Sequence, residues 1–314
     1  MYTARQVASG RLDAGEMNQN AISEVSCKLC RNDQVKFLYQ SRRYGFRVGR
    51  CSGCGLTFVL DRIAEAQLKE IYDDEQSFER FSDLMRNARV RERHHGALRE
   101  ICQLMEGSSM PGRLLDIGAG SGEFLNHARE LGFEIYGNEL SNAAIWSARQ
   151  QYGIFLSPIP LEQEPHTGFF DVITMWGLIE HVVDPLSIIK QAFRLLRCGG
   201  ILYIYTPVWC LYDDIGLGLA RFCGWTRLLD RRITLAHLQL FTIGAMHKIL
   251  TAIGFELCRM EVVCEYNLPV TAYLESLGVP TRVRSGFAAA LDWLIDRGLF
   301  FRNNMRVFCR KPSA

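Results

Sequence analysis

A run of apolar and glycine residues contains the side chains whose types and spacing point most directly to chemistry. Residues 114–125 read Leu-Leu-Asp-Ile-Gly-Ala-Gly-Ser-Gly-Glu-Phe-Leu, so an apolar run ends at Asp116 and glycines follow at Gly118, Gly120 and Gly122. Such glycines allow a sharp turn and leave space for a ligand beside the main chain. A helix that begins here directs its first amides at the same place. The run therefore predicts a strand, a turn and a helix around a nucleotide-like cofactor.

The charges around the glycines indicate which cofactor this is. The dinucleotide fingerprint is G-x-G-x-x-G with a pyrophosphate at the helix N-terminus, but Glu123 stands where the third glycine of that pattern would fall. The carboxylates of Asp116 and Glu123 would repel a pyrophosphate, whereas they suit a ligand with an ammonium group. S-adenosylmethionine carries an ammonium and a sulfonium group and no phosphate, so the residues favour it.

A second predicted strand supplies another carboxylate. Residues 134–139 read Glu-Ile-Tyr-Gly-Asn-Glu and end in Glu139, about 20 residues after the first glycine, where doubly wound folds bind a ribose. A surface acid at a strand end is the alternative. The distance of Glu139 from the glycine loop along the chain favours the interpretation that Glu139 binds the ribose.

Three segments together resemble the class I S-adenosylmethionine-dependent methyltransferases. They are residues 114–125, residues 137–141 (Gly-Asn-Glu-Leu-Ser) and residues 170–185 (Phe-Asp-Val-Ile-Thr-Met-Trp-Gly-Leu-Ile-Glu-His-Val-Val-Asp-Pro). The resemblance implies an α/β fold with a doubly wound, mostly parallel, seven-stranded Rossmann-like sheet. It also implies that Leu140 lies beside the cofactor and that Met175 and Trp176 flank its adenine and sulfonium.

Two histidines are candidates for a general base. Methyl transfer is an in-line displacement in which positioning matters most, and a base assists an acceptor that must lose a proton. Residues 170–185 are predicted to form a strand and the loop after it, and Glu180 and His181 lie in that loop. His181 is the preferred base; a loop histidine that shapes the cofactor pocket is the alternative. His237 is the second candidate, with a packing or hinge role as its alternative. Gly177 stands where some relatives carry a further acid, so no catalytic metal is predicted.

Four of the 11 cysteines form two C-x-x-C pairs, Cys27/Cys30 and Cys51/Cys54. Each pair presents two thiolates on one turn, and together they complete a tetrahedral Zn-S₄ site. Four cysteines close the shell, so we predict a structural zinc in a zinc ribbon; a catalytic zinc with an open position is the alternative. The other cysteines lie in apolar sequence, and we expect them to be thiols.

The motifs divide the chain into consecutive parts. We predict an N-terminal tail over 1–24, the zinc ribbon over 25–60, a helical connector over 61–110 and the methyltransferase domain over 111–314. Two long stretches inside that domain, 207–236 and 270–303, are predicted as helical cap insertions.

The first cap insertion is rich in aromatic residues, which is typical of a lid or pocket wall. Its candidates for pocket lining or packing are Trp209, Tyr212, Phe222 and Trp225, and Asp213 and Asp214 are candidates to hold a polar acceptor. The second insertion is apolar and helical. A substrate cap, a membrane-facing amphipathic surface and a subunit interface all fit its pattern.

Composition restricts the partners. The net charge of +2 in 314 residues carries no overall nucleic-acid footprint. Residues 1–24 lack a signal-peptide pattern, and no apolar run is long enough to span a bilayer, so we expect a cytoplasmic enzyme. The ribbon and the strand and helix after it also resemble the N-terminal unit of a subset of small-molecule methyltransferases, and this resemblance implies a small-molecule acceptor, a sugar or natural-product intermediate. The alternatives are an RNA or protein methyltransferase that uses the ribbon arginines as a reader, and a non-catalytic cofactor-binding scaffold.

Overall fold

The computed structural model describes residues 25–61, 78, 82–83, 86–105, 112–266 and 269–313. The predicted tail over 1–24 and much of the helical connector predicted over 61–110 lie outside these residues. The described residues form an α/β fold with two sheets, which confirms the predicted fold class. No helix among them combines the length and the apolar character needed to cross a membrane.

The described residues form ten strands and eight α-helices. The strands are β1 (Val35–Gln40), β2 (Arg47–Cys51), β3 (Thr57–Val59), β4 (Arg113–Ile117), β5 (Glu134–Asn138), β6 (Phe170–Trp176), β7 (Leu196–Pro207), β8 (Gln239–Leu240), β9 (Glu256–Val263) and β10 (Asn304–Arg310). The helices are α1 (Ala88–Leu104), α2 (Glu123–Glu130), α3 (Asn142–Tyr152), α4 (Pro185–Leu195), α5 (Leu211–Cys223), α6 (Ile243–Ile253), α7 (Val270–Ser276) and α8 (Thr281–Asp296).

The chain forms two compact units that exchange segments. The ribbon unit contains the described residues up to 61 together with Pro207–Ala245 and Val262–Asn304. The sheet unit contains the described residues between 64 and 206, together with Met246–Glu261 and Met305–Ala314. Both predicted cap insertions therefore cluster with the ribbon.

The larger sheet has the strand order β5-β4-β6-β7-β10-β9. It has six strands among the described residues, rather than the seven that the family resemblance implied. Strand β4 pairs in parallel with β5 on one side and with β6 on the other, and β6 pairs in parallel with β7. The chain order thus reverses at β4, and ligands of such sheets bind beyond the carboxyl ends of the strands at this reversal.

Sequence explains why these elements form. The last four residues of β4 are buried, as expected for an apolar strand covered on both faces. Helix α3 begins at Ser141, whose side chain accepts a hydrogen bond from the Ala144 amide, and ends at the left-handed Gly153. Such caps satisfy backbone groups that a helix end leaves without partners.

The smaller sheet has the order β1-β2-β3-β8 and is antiparallel throughout. Its first three strands come from the ribbon, whereas β8 arrives from the segment after the first cap insertion. Thr57 pairs with Leu240 and Phe58 with Gln239. One apolar core beneath this sheet combines ribbon and insertion side chains: Tyr39, Phe46, Val48, Val59, Leu217, Leu229, Ile233 and Leu240.

Candidate functional site

The glycine loop between β4 and α2 adopts the conformation that its sequence predicts. Gly118, Gly120 and Gly122 have φ angles of 71°, 53° and 76°, in the left-handed region that favours glycine. A Cβ atom at Gly118 would lie 2.7 Å from the Leu178 side chain, whereas one at Gly120 would meet no atom within 4 Å. Gly118 is therefore required for packing, and Gly120 borders open space.

The carboxylate of Glu139 is fixed against this loop. Its Oε2 accepts a hydrogen bond of 2.9 Å from the Gly120 amide. Its Oε1 accepts from the amides of Leu140 at 2.7 Å and Ser141 at 2.9 Å. The side chain of Leu140 is exposed beside it. Glu139, the residue predicted to bind the ribose, thus lies against the glycine loop.

Asp116 lies at the carboxyl end of β4 but is only 1% exposed. The Thr174 hydroxyl of β6 donates a hydrogen bond of 2.6 Å to it. Burial raises the pKa of Asp116 to about 8; the Thr174 hydrogen bond opposes this shift and the charge of Glu139 adds to it. Much of Asp116 is therefore protonated at neutral pH, and a nearby cation would favour its ionised form.

Met175 and Trp176 end strand β6 on opposite faces of the sheet. Met175 is fully buried. The indole of Trp176 packs among aromatic rings, with centroids 4.7 Å from His94, 5.1 Å from Phe124 and 5.3 Å from Tyr205. Contact of Met175 and Trp176 with adenine and sulfonium stays a prediction.

The His94 cluster is a feature that sequence reasoning missed. His94 of α1 lies with its Nδ1 3.2 Å from the Nδ1 of His127 on α2. Burial, then the charges of His127, Arg93 and His95, lower the pKa of His94 well below its usual range. His127 lies on a different helix, 33 residues later in the chain. The sequence of α1 alone therefore could not predict that His94 and His127 lie side by side.

His181 lies in the turn after β6, and Glu180 holds a fixed position beside it. Glu180 is 2% exposed, and its Oε2 accepts a hydrogen bond of 2.9 Å from the Thr206 hydroxyl at the end of β7. The other carboxylate oxygen lies 3.8 Å from His181 Nε2. A carboxylate so placed can stabilise an imidazolium that forms when His181 accepts a proton.

His237, the second candidate base, belongs to the ribbon unit. Its amide donates to the Thr234 hydroxyl at 2.9 Å, and its carbonyl accepts from the Thr234 amide at 3.1 Å. Burial and the Arg232 cation lower the pKa of His237 to about 4. The imidazole is therefore neutral at physiological pH and only weakly basic, and its part in catalysis stays a prediction.

The four ribbon cysteines come together as predicted. Cys27 Sγ lies 3.6 Å from Cys54 Sγ, and Cys30 Sγ lies 3.5 Å from Cys51 Sγ. All four sulfur atoms are within 4.8 Å of one another. Zn–S bonds of about 2.3 Å in a tetrahedron give S–S edges of about 3.8 Å, so the cluster has the dimensions of a Zn-S₄ site.

The first cap insertion differs from its predicted roles. Asp213 is fully buried and forms an ion pair with Arg232 at 2.9 Å, and Asp214 accepts a hydrogen bond from the Trp209 indole at 2.8 Å. Both carboxylates are thus engaged within the ribbon unit. Phe222, predicted to line a pocket or pack, is 95% exposed instead.

Comparison with known proteins identifies the family. A family model described as a methyltransferase domain matches residues 89–259, which is more than half of the chain. The chain belongs to this family. The match begins after the ribbon and contains the glycine loop, Glu139 and Glu180-His181. It confirms the predicted resemblance to S-adenosylmethionine-dependent methyltransferases.

Individual relatives agree with the family. A ubiquinone biosynthesis O-methyltransferase of Psychrobacter cryohalolentis is 30% identical over 172 residues, 51% of this chain and 64% of that protein. The chain thus spans less than two thirds of this curated relative. Among solved structures, the [4+2]-cyclase SpnF is similar with a TM-score of 0.52 and 19% identity, over 80% of this chain and 98% of that one. A phosphoethanolamine N-methyltransferase of Haemonchus contortus has a TM-score of 0.55 and 14% identity, over 82% and 62%. These two structures support the fold.

Proposed function

We propose that the protein transfers a methyl group from S-adenosylmethionine to a small-molecule acceptor, through an oxygen, a nitrogen or an acidified carbon. The observation that carries this proposal is the glycine loop, whose Gly120 amide is hydrogen-bonded to Glu139. The carboxylates of Asp116 and Glu139 fit the cofactor, because carboxylates accept hydrogen bonds from ribose hydroxyls and attract an ammonium group. Residues 114–125 contain no lysine or arginine that would favour a phosphate.

The residues of this chain would do three things in the reaction. When bound, the cofactor supplies an activated methyl group. Glu139 would bind the ribose, and ionised Asp116 would favour the cationic end of the cofactor. Thr206 holds Glu180, which in turn supports His181 as the group that accepts the proton of the acceptor.

The acceptor class is proposed from the relatives. The curated relative is described as an O-methyltransferase of ubiquinone biosynthesis, and the Haemonchus contortus protein is described as an N-methyltransferase. Both act on small molecules by name. We therefore propose a small acceptor, with sugar or natural-product intermediates as the first compounds to test.

The ribbon arginines give less support to RNA or protein methylation. Arg47 forms an ion pair with Asp61 at 2.9 Å, and Arg50 lies 4.1 Å from the Trp209 ring centroid. Two of the four arginines in residues 42–50, which are the predicted reader residues, are thus engaged inside the ribbon unit. For the ribbon itself we propose a structural zinc bound by its four cysteines.

The test uses S-adenosylmethionine with a labelled methyl group, the full chain and an extract of cells that contain the protein, separated by size afterwards. We expect label in the small-molecule fraction. Label in RNA or protein would contradict the proposed acceptor class. Binding of S-adenosylhomocysteine without label transfer to any fraction would favour the scaffold alternative.

The proposed base is tested by His181→Ala. Loss of general-base catalysis lowers turnover by about 10²–10⁴-fold, whereas affinity for S-adenosylhomocysteine should remain near that of the unchanged protein. His166→Ala is a matched control, because His166 also lies beside a carboxylate, that of Glu164, but on a different loop. Loss of both turnover and cofactor affinity in His181→Ala would show a structural role instead.

A further inference from the structure

An exposed surface in the ribbon unit joins apolar and basic side chains. It is formed by strand β1 and helix α5, and we call it the β1–α5 surface. The Arg42 amide donates a hydrogen bond of 3.2 Å to the Thr226 hydroxyl just after α5. A groove of about 280 Å³ lies between the two elements. The two elements therefore form one continuous surface.

Large apolar side chains are exposed on the two elements that border this groove and just after them. Phe222 at the end of α5 is 95% exposed, Phe37 on β1 is 47% exposed and Trp225 is 38% exposed. Leu211 and Ile215 are also exposed on α5. At 3.6 residues per turn, Leu211, Ile215 and Phe222 lie within an arc of about 40° on the helix, so they form one apolar stripe. Such contiguous exposure indicates contact with another surface.

The exposed charges on the β1–α5 surface are basic except for Asp214, which accepts a hydrogen bond from the Trp209 indole. Lys36, Arg42 and Arg43, on β1 and just after it, are exposed. Arg47 is instead paired with Asp61, and Arg50 lies over the Trp209 ring. Residues 215–229, the second half of α5 and the turn after it, contain Arg221 and Arg227 and no acid. Arg42 and Arg221 line the groove itself, and both are exposed. The surface is thus complementary to a negatively charged partner with an apolar interior.

We propose that the β1–α5 surface docks the protein on anionic phospholipid membranes. The stripe of α5 and the ring of Phe37 enter the boundary between headgroups and acyl chains, and the arginines contact lipid phosphates, as in interfacial amphipathic helices. The aliphatic side chains of Leu211 and Ile215 favour lipid over single-stranded RNA, because bases stack on aromatic rings. This inference does not depend on the proposed methyl transfer.

Vesicle sedimentation of the full chain tests the proposal. We expect strong binding to vesicles of phosphatidylcholine and phosphatidylglycerol in equal parts, weaker binding to phosphatidylcholine alone, and loss of binding with added salt. Phe222→Ser should weaken binding about tenfold or more, the worth of one buried aromatic side chain. Arg221→Glu should weaken it by at least about fivefold.

A matched pair of controls lies in the sheet unit. Phe155 is also highly exposed, with the Arg149 guanidinium 5.0 Å from its ring centroid. Phe155→Ser and Arg149→Glu should therefore leave vesicle binding unchanged. Circular dichroism of all four variants confirms that they fold.

Three outcomes would overturn the proposal. The first is equal binding by Phe222→Ser and Phe155→Ser. The second is binding of a single-stranded RNA oligonucleotide that Phe222→Ser abolishes, without vesicle binding, which would indicate a nucleic-acid surface. The third is a dimeric mass in light scattering that Phe222→Ser converts to a monomer, without vesicle binding, which would indicate a subunit interface.

Discussion

At the scale of single residues, Asp116 would give the proposed cofactor site a pH dependence. The folded-state pKa of about 8 lies above the ordinary value of 3.8, so the bound proton stabilises the fold at low pH. This contribution is lost as the pH rises through about 8. A cationic ligand lowers the pKa of Asp116 again and releases the proton.

We therefore predict that affinity for S-adenosylmethionine rises as the pH increases towards 8, with proton release on binding. Calorimetry in buffers of different ionisation enthalpy measures both. Asp116→Asn should remove the pH dependence, and the surface variant Glu162→Gln should keep it. Binding without proton release by the unchanged protein would refute the role of Asp116.

Gly120 is the residue whose replacement should affect the cofactor most selectively. We predict that Gly120→Arg abolishes binding of S-adenosylhomocysteine, because its side chain fills the open space beside the loop. Gly153→Arg is the control, since Gly153 also has a left-handed φ of 64° and open space around it. Each change costs about 1–2 kcal/mol of stability, but only the first should affect calorimetric binding. Tight binding by Gly120→Arg would exclude the loop as the cofactor site.

Residue roles were predictable where they depend on local sequence and not where they depend on distant partners. The conformation of the glycine loop and the position of Glu139 against it were predictable, because a strand, a turn and a strand end determine them. Their contact with the cofactor stays a prediction. The roles of Asp213 and Phe222 were wrong, since Asp213 pairs with Arg232, 19 positions further along, and nothing local shows that Phe222 faces solvent. The hydrogen bond from the Thr174 hydroxyl to Asp116 joins two neighbouring strands. It could not be predicted either, because the two residues are 58 positions apart in the chain.

At the scale of elements, the two cysteine turns are built alike. Arg31 and Gly55 each follow the second cysteine of a pair, and both have left-handed φ angles of 60° and 84°. The amides of Arg31 and Gly55 donate to the carbonyls of Cys27 and Cys51. This repeated geometry supports a common zinc-binding role.

We predict that Cys27→Ser releases zinc and unfolds the small sheet. A structural zinc contributes about 10–16 kcal/mol in isolated fingers, comparable to the whole stability of a domain. Metal analysis measures the zinc, and amide hydrogen exchange at Phe58 and Gln239 reports the pairing of β3 with β8. Cys223→Ser, at an exposed cysteine of the same unit, should change neither. Purified protein without zinc would end the zinc proposal.

The pairing of β3 with β8 shows what sequence patterns omit. The zinc ribbon was predicted from the cysteine spacing, but the fourth strand of its sheet comes from about 180 residues later in the chain. A two-residue strand has no periodicity of its own, so only the folded chain reveals it.

At the scale of the whole molecule, the ribbon is integrated with the segments that follow β7. The apolar core beneath the small sheet takes half of its buried side chains from residues 217–240. We predict that a chain beginning at residue 62 exposes these side chains and aggregates, as measured by soluble yield and size exclusion. A chain beginning at residue 25 keeps every described strand and is the control. A folded, monomeric chain from residue 62 with normal S-adenosylhomocysteine binding would show that the ribbon is an independent appendage.

The hydrogen bonds of Glu139 have a consequence for the energetics of binding. Three backbone amides hold its carboxylate, so the group that we propose to bind the ribose is fixed in position. Little conformational entropy remains to be lost when the ligand arrives. Each carboxylate oxygen also keeps acceptor capacity for hydroxyl groups, so at the proposed site a spent cofactor would exchange for a fresh one without refolding of the loop.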